Sequence, residues 1–213
     1  MSLLARATYS YDEKYLLPFS HDENVHGKAT ILQKMNGDYE GKFPQGRALY
    51  LYMYAHPGKK LNFMGGEIGQ LREWDEKRQQ DWELLSYPNH DAFHHFMMEL
   101  NKVYAANPAF YEKDYDRDGF RWLDCHQEGR CIYTFERRSK DQRLLAVFNF
   151  SDQKQEHYQV AVPGAKMIKP LLSTDWKIYG GGKAVSKRRR KVAKGVAEFT
   201  LAPFSGEIYV IEE

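Results

Sequence analysis

Apolar residues fall in two textures along this chain, and the change comes near its middle. In the first half, short apolar runs alternate with stretches of helical periodicity. "YLLPF", Tyr15 to Phe19, reads as a buried strand. Within "FPQGRALYLYMYAHPGKK", Leu49, Met53 and neighbouring aromatics recur at helical spacing until Pro57 and Gly58 stop them, which predicts a helix of about three turns. "KLNFM", Lys60 to Met64, predicts a second buried strand, ended by Gly65 and Gly66. A polar, tryptophan-bearing loop runs to Pro88. "DAFHHFMMELNKVYAAN" then puts Phe93, Phe96, Met97, Leu100, Val103 and Tyr104 on one helical face, with Asn89 or Asp91 as the cap. Strand, helix, strand, helix in that order predicts parallel strands joined by right-handed crossovers, as in an open doubly wound sheet or a barrel. Two strands complete neither, so their edges must find partners.

Beyond "NPAFYEKDYDRD" the periodicity changes. "GFRWLD", "RCIYTFERR", "RLLAVFNF", "HYQVAVP", "MIKPLLS", "GVAEFTLAP" and "GEIYVIEE" are short, partly alternating runs rich in Val, Ile, Phe and Tyr, separated by turn residues. They predict an antiparallel β-sandwich, and hence an α+β chain of two domains with the boundary between Asn107 and Asp118. The one biased segment, "GGGKAVSKRRRKVAKG" (Gly180 to Gly195), is basic enough to suggest nucleic acid or a nuclear address. Without interleaved aromatics it reads better as a solvated loop between strands.

Composition narrows the function more than the fold. With 42% hydrophobic residues, 15 Tyr, 12 Phe and 4 Trp, there is ample surface to bury, which excludes disorder over most of the chain. Charges nearly cancel, at 31 Lys plus Arg against 29 Asp plus Glu, so no global field selects nucleic acid. Cys125 and Cys131 flank an expected hairpin turn, "HQEGR", and read as two reduced thiols, with neither a disulfide framework nor a structural metal. No apolar run approaches the roughly 20 residues of a membrane span, and the opening "MSLLARATYSYDEKY" lacks the flanks of a secretory signal. The expectation is a cytoplasmic protein without a membrane or nucleic-acid partner.

Candidate chemistry begins where "LLPF" runs into Ser20, His21, Asp22 and Glu23. If the apolar run is a barrel strand, these four stand at its C-terminal end, the face where parallel barrels build active sites. Taken alone, the tetrapeptide reads better as a turn or helix cap and nothing else. His21, Asp22, His26 and Asp38 lack any metal-ligand spacing, and a catalytic triad would need partners from separate positions rather than Ser20, His21 and Asp22 in sequence. No cofactor or metal is expected.

The neighbours of the cluster change that balance. "LPFSHDENVHGKATILQKMNGD" followed by "RALYLYMYAHPGKKLNFMGGEIGQLREWDEKRQQDWELL" resembles the glycogen branching enzymes of the α-amylase superfamily, and the likeness continues through "ELNKVYAANPAFYEKDYDRDGFRWLD" and "NFS". The resemblance implies that residues 1–106 are the last two β/α units of a TIM (β/α)8 barrel and 107–213 an α-amylase-type C-terminal β-sandwich. It implies that Asp22 is the transition-state-stabilising aspartate and that His21 contacts sugar in the catalytic subsite. Glu23, Glu67, Arg72 and Trp74 would border the cleft, whereas Trp82 is expected to pack within its loop. The family's retaining transfer also needs a nucleophilic carboxylate and an acid/base carboxylate, which the resemblance assigns to the fourth and fifth barrel strands. Neither strand is in this chain. The implied reading is therefore a C-terminal portion of a 1,4-α-glucan branching enzyme, with a non-native Met-Ser-Leu opening, that is inactive alone and self-associates through exposed barrel strands. Its partner would be an α-glucan. The alternatives are a non-catalytic glucan-binding or barrel-supporting module, or part of a related hydrolase.

Overall fold

The computed structural model describes residues 14, 16–25, 27–125 and 129–213. Strand β1 (Leu16–Phe19) and strand β2 (Lys59–Asn62) pair in parallel, Leu16 opposite Lys59 and Phe19 opposite Asn62, with helix α1 (Tyr39–Ala55) between them in sequence. Both strands are half exposed rather than buried, because each has only the other as a partner among the described residues. Leu16 is 57% and Leu61 40% exposed.

Helix α1 is longer than its apolar spacing predicts, 17 residues or about five turns. It starts at Asp38, whose side chain accepts from Gly41 N at 2.9 Å, and runs on through Pro44. From Tyr50 to Ala55 six consecutive residues are buried, so the C-terminal part of the helix is covered all round and has no single apolar stripe to count. Helix α2 (Pro88–Ala106) behaves as an amphipathic helix. Phe93, Phe96, Met97, Leu100 and Val103 are buried on one face. Its start differs from expectation: Pro88 occupies the first turn, the cap position is Tyr87, and neither Asn89 nor Asp91 caps it.

The second half is all β. Strands β3 (Phe120–Asp124), β4 (Ile132–Arg138), β5 (Arg143–Asn149), β6 (Gln155–Ala161), β7 (Met167–Ser173), β8 (Arg190–Lys191), β9 (Val196–Leu201) and β10 (Ser205–Glu212) follow. A six-stranded antiparallel sheet has the order β3-β4-β5-β10-β7-β8, and β6 with β9 forms a separate ribbon. Pro170 is tolerated inside β7 because the register with β10 shifts there, between Ile208 and Tyr209. All seven runs read from the sequence are strands. Part of the basic segment is a strand as well, since Arg190 and Lys191 pair with Ile168 and Met167. The Arg190 guanidinium lies 4.9 Å from the Phe199 ring and 5.0 Å from the Tyr209 ring, so apolar partners distant in sequence hold it. Cys125 is buried, with its thiol pushed up by that burial, and Cys131 is exposed; both are free. Three residues of the expected turn between them, 126–128, lie outside the described residues, as do residues 1–13, Tyr15 and His26.

Strand β5 shows why the layers stack as they do. Leu144, Ala146 and Phe148 point into a core shared with α1 and α2, while Leu145 and Val147 point into a second core closed by the β6-β9 ribbon. The molecule is thus helices, sheet and ribbon in three layers, and its antiparallel part is a β-sandwich. A fully buried Arg137 on β4 ties the layers. It donates to Ala55 O and Phe110 O at 2.8 Å, to Gly119 O at 3.2 Å and to Asp114 Oδ1 at 2.8 Å, and Lys59 reaches Asp114 Oδ2 at 3.0 Å.

Candidate active site

Beyond Phe19 the chain turns at once into a short 3-10 helix, His21–Glu23, because Ser20 and Glu23 close it reciprocally. Asp22 N donates to Ser20 Oγ at 3.2 Å, and Ser20 N and Oγ both donate to Glu23 Oε2 at 2.7 Å. The Ser20 hydroxyl holds the Glu23 carboxyl below its ordinary value. With Ser20 and Glu23 occupied by the turn, the two side chains between them face out. His21 is 57% and Asp22 67% exposed, with His21 Nε2 3.4 Å from Asp22 Oδ1.

The same edge of the parallel pair carries the residues that follow β2. Gly65 is left-handed, at φ +86°, and opens a second 3-10 turn, Gly66–Ile68, that holds Glu67. Gly66 leaves room for a polar pair: a Cβ there would stand 2.3 Å from Asn62 Oδ1 and 2.6 Å from the Tyr50 hydroxyl and would displace them. Tyr50 donates to Asn62 at 3.0 Å, and burial, followed by the charge of Glu67, pushes its hydroxyl far up. Glu67 meets α2 through its carbonyl, 3.3 Å from His94 Nδ1.

Three aromatic side chains connect the turns. The Phe63 ring is 5.9 Å from the His21 ring and 5.3 Å, edge on, from the Trp74 ring. Trp74 N donates to Asn24 O at 2.9 Å, and the Glu73 carboxylate accepts from Gly27 N at 2.9 Å and Ala29 N at 2.8 Å. Arg72 is turned to its own loop, with Nη2 2.7 Å and Nε 3.0 Å from Asp81 Oδ1; that carboxylate holds the guanidinium above its ordinary value. Trp82 departs from expectation. It does not pack inside the loop but stands 45% exposed, because it opens a surface turn with no buried residue in it.

The expected site residues thus divide. His21 and Trp74 gather around Phe63, and Asp22 stands exposed beside His21. Glu23 and Arg72 are engaged in local backbone and ion-pair geometry. Among the described residues, no hydrogen bond, ion pair or ring contact joins Glu67 to His21 or Asp22. Phe63, Asn24 and Glu73 escape a motif reading, although Glu73 sits inside the quoted Arg-Glu-Trp. Among the described residues no group of three or more His, Cys, Asp or Glu could hold a metal ion, and no helix is long and apolar enough to cross a membrane.

Residues 122–212 match the family described as "Alpha amylase, C-terminal all-beta domain". The chain is 41% identical over 206 residues to the 1,4-alpha-glucan branching enzyme GlgB of Aquifex aeolicus, a match that covers 92% of this chain and 33% of that protein. Over this length it is a relative of the 1,4-alpha-glucan branching enzymes. The branching enzyme of Oceanobacillus iheyensis is 41% identical over 181 residues, covering 84% of this chain and 28% of that protein. That of Bacillus cereus (strain AH820) is 39% identical over 209 residues, covering 94% and 32%. The chain therefore spans about a third of the length of the branching enzymes it matches. Both 3-10 turns and the Arg-Glu-Trp loop precede the all-β match, so it is the longer likeness to branching enzymes that bears on the candidate site.

Proposed function

We propose that this chain supplies one wall of an α-glucan active site, and that the whole protein it belongs to forms α-1,6 branches by retaining transfer of an α-1,4-glucan segment. In this reading, residues 1–106 are the last two β/α units of a (β/α)8 barrel and 107–213 are its C-terminal β-sandwich. The observation that carries it is the exposed His21–Asp22 pair directly past the carboxyl end of a parallel strand, where barrels place their chemistry. Identity of about 40% to branching enzymes over most of the chain supports it.

Glycosyl transfer passes through a transition state with positive charge at the anomeric carbon. The Asp22 carboxylate stabilises that charge, and His21 donates a hydrogen bond to a sugar hydroxyl. Trp74 and Glu67 border the sugar, while Glu23 and Arg72 border it and hold the backbone beneath. The nucleophile and the acid/base come from parts of the whole protein outside this chain. The partner is an α-glucan, with no role for nucleic acid, membrane, metal or cofactor, and the setting is the cytoplasm.

Asp22→Asn in the whole protein tests this. The rate of branch formation on amylose is expected to fall by about 10²–10³, the loss typical of one electrostatic contact to a developing charge. A variant that keeps more than half the parental rate would overturn the assignment. The isolated chain is expected to form no α-1,6 linkages, and branching by it would show that the missing carboxylates are not needed.

A further inference from the structure

Glu73 lies between Arg72 and Trp74, and its carboxylate reaches far back along the chain. It accepts from the backbone amides of Gly27 and Ala29, which lie 46 and 44 positions earlier in the chain. Both donors stand in left-handed backbone, at φ +80° and +62°. For Ala29 that conformation costs roughly 1–2 kcal/mol, so something outside the segment must hold it there. Carboxylate bonds to amides are charge-assisted and about twice as strong as neutral ones, which suits them to this task.

Next to this grip, Trp74 N donates to Asn24 O at 2.9 Å. Asn24 is buried, donates from Nδ2 to Ser20 O at 2.7 Å and accepts from Ile31 N at 3.3 Å. The gripping loop is anchored in turn: Asp81 holds Arg72 through two guanidinium nitrogens, and Gln70 donates to Arg72 O at 2.9 Å and accepts from Asp81 N at 3.1 Å. A continuous set of bonds therefore runs from Asp81 through Arg72 and residues 73–74 to the segment immediately after His21 and Asp22.

We propose that Glu73 is a positioning residue for Asp22: it sets where the turn bearing His21 and Asp22 stands relative to the sugar. The inference rests on the reading of Asp22 given above. Misplacing a reacting or stabilising group by about 1 Å can cost about 10²-fold in rate. Glu73 itself touches no substrate.

The test uses Glu73→Gln and, separately, Asp22→Asn in the whole protein. Glutamine keeps one acceptor but turns an NH2 toward the second amide. For Glu73→Gln, kcat for branching is expected to fall about 10- to 100-fold, with KM for the glucan within about twofold of the parent and the thermal midpoint within a few degrees. Hydrogen exchange at the Gly27 and Ala29 amides should accelerate. A kcat within twofold of the parent, or a loss that merely follows the unfolded fraction, would overturn the proposal. If Asp22→Asn has no effect, it is the active-site reading that fails. The grip is then judged on exchange alone, and unchanged protection at Gly27 and Ala29 overturns it.

Discussion

At the scale of single residues, buried charge decides more than apolar contact. Arg137 and Asp114 have side chains only 0% and 1% exposed, and together they collect bonds from α1, the segment before β3, and β2. Such a pair contributes little net stability over an apolar pair of the same shape, but removing one member strands the other. Arg137→Met is expected to destabilise the fold by about 3–5 kcal/mol, read from urea unfolding. It would leave three carbonyls without their donor and take from Asp114 its buried ion-pair partner. A loss under 1 kcal/mol would mean that water replaces the guanidinium. Around the candidate site the same principle separates residues of like chemistry. Glu23 and Arg72 have their polar atoms engaged at home, while Asp22 faces solvent.

At the scale of elements, strands β3 to β5 are bound through their side chains as well as their ladders. Arg121, Arg138 and Arg143 converge on Glu136, whose side chain is fully buried. Burial alone would raise the pKa of that carboxyl, but the hydrogen bonds from Arg138 and Arg143 outweigh it and hold the group below its ordinary value. A depressed carboxyl stabilises the fold fully above the unfolded pKa, near 4.3, and the contribution is lost as pH falls through the folded value. Urea midpoints at pH 7 and pH 3 test this. Glu136→Gln should be less stable than the parent at pH 7 and should lose less on acidification. Equal losses in both proteins would show that the acid sensitivity arises elsewhere. The helices differ from each other in the same way. Helix α2 has one buried face and could be read from its spacing, whereas α1 is buried all round only from Tyr50 to Ala55 and is more exposed before that, so its spacing understated its length.

At the scale of the whole molecule, the parallel pair has no further strand on either edge among the described residues. Leu16, Leu61 and Met64 are exposed, and Leu17, Phe19, Leu49, Tyr52 and Met53 line an adjacent apolar groove. Exposed strand edges beside apolar surface recruit other chains. The isolated chain is expected to self-associate with rising concentration in light scattering, and Leu16→Lys should shift it toward monomer; a parent chain that stays monomeric throughout would count against this. Much of the architecture was legible without coordinates. The alternation in β5, the seven strand runs, the stop at Pro57 and Gly58, and the abrupt polar turn at Ser20 to Glu23 each follow from a side-chain period or a turn preference acting within a few residues. The sequence by itself therefore determined the kinds of element and their order. Only the tertiary structure decided which polar side chains are left for chemistry and which are already committed. Glu73 to Ala29, Arg47 to Thr174 and Arg137 to Ala55 are partners 44, 127 and 82 positions apart, and no local period encodes a contact that chain folding alone brings within 3 Å.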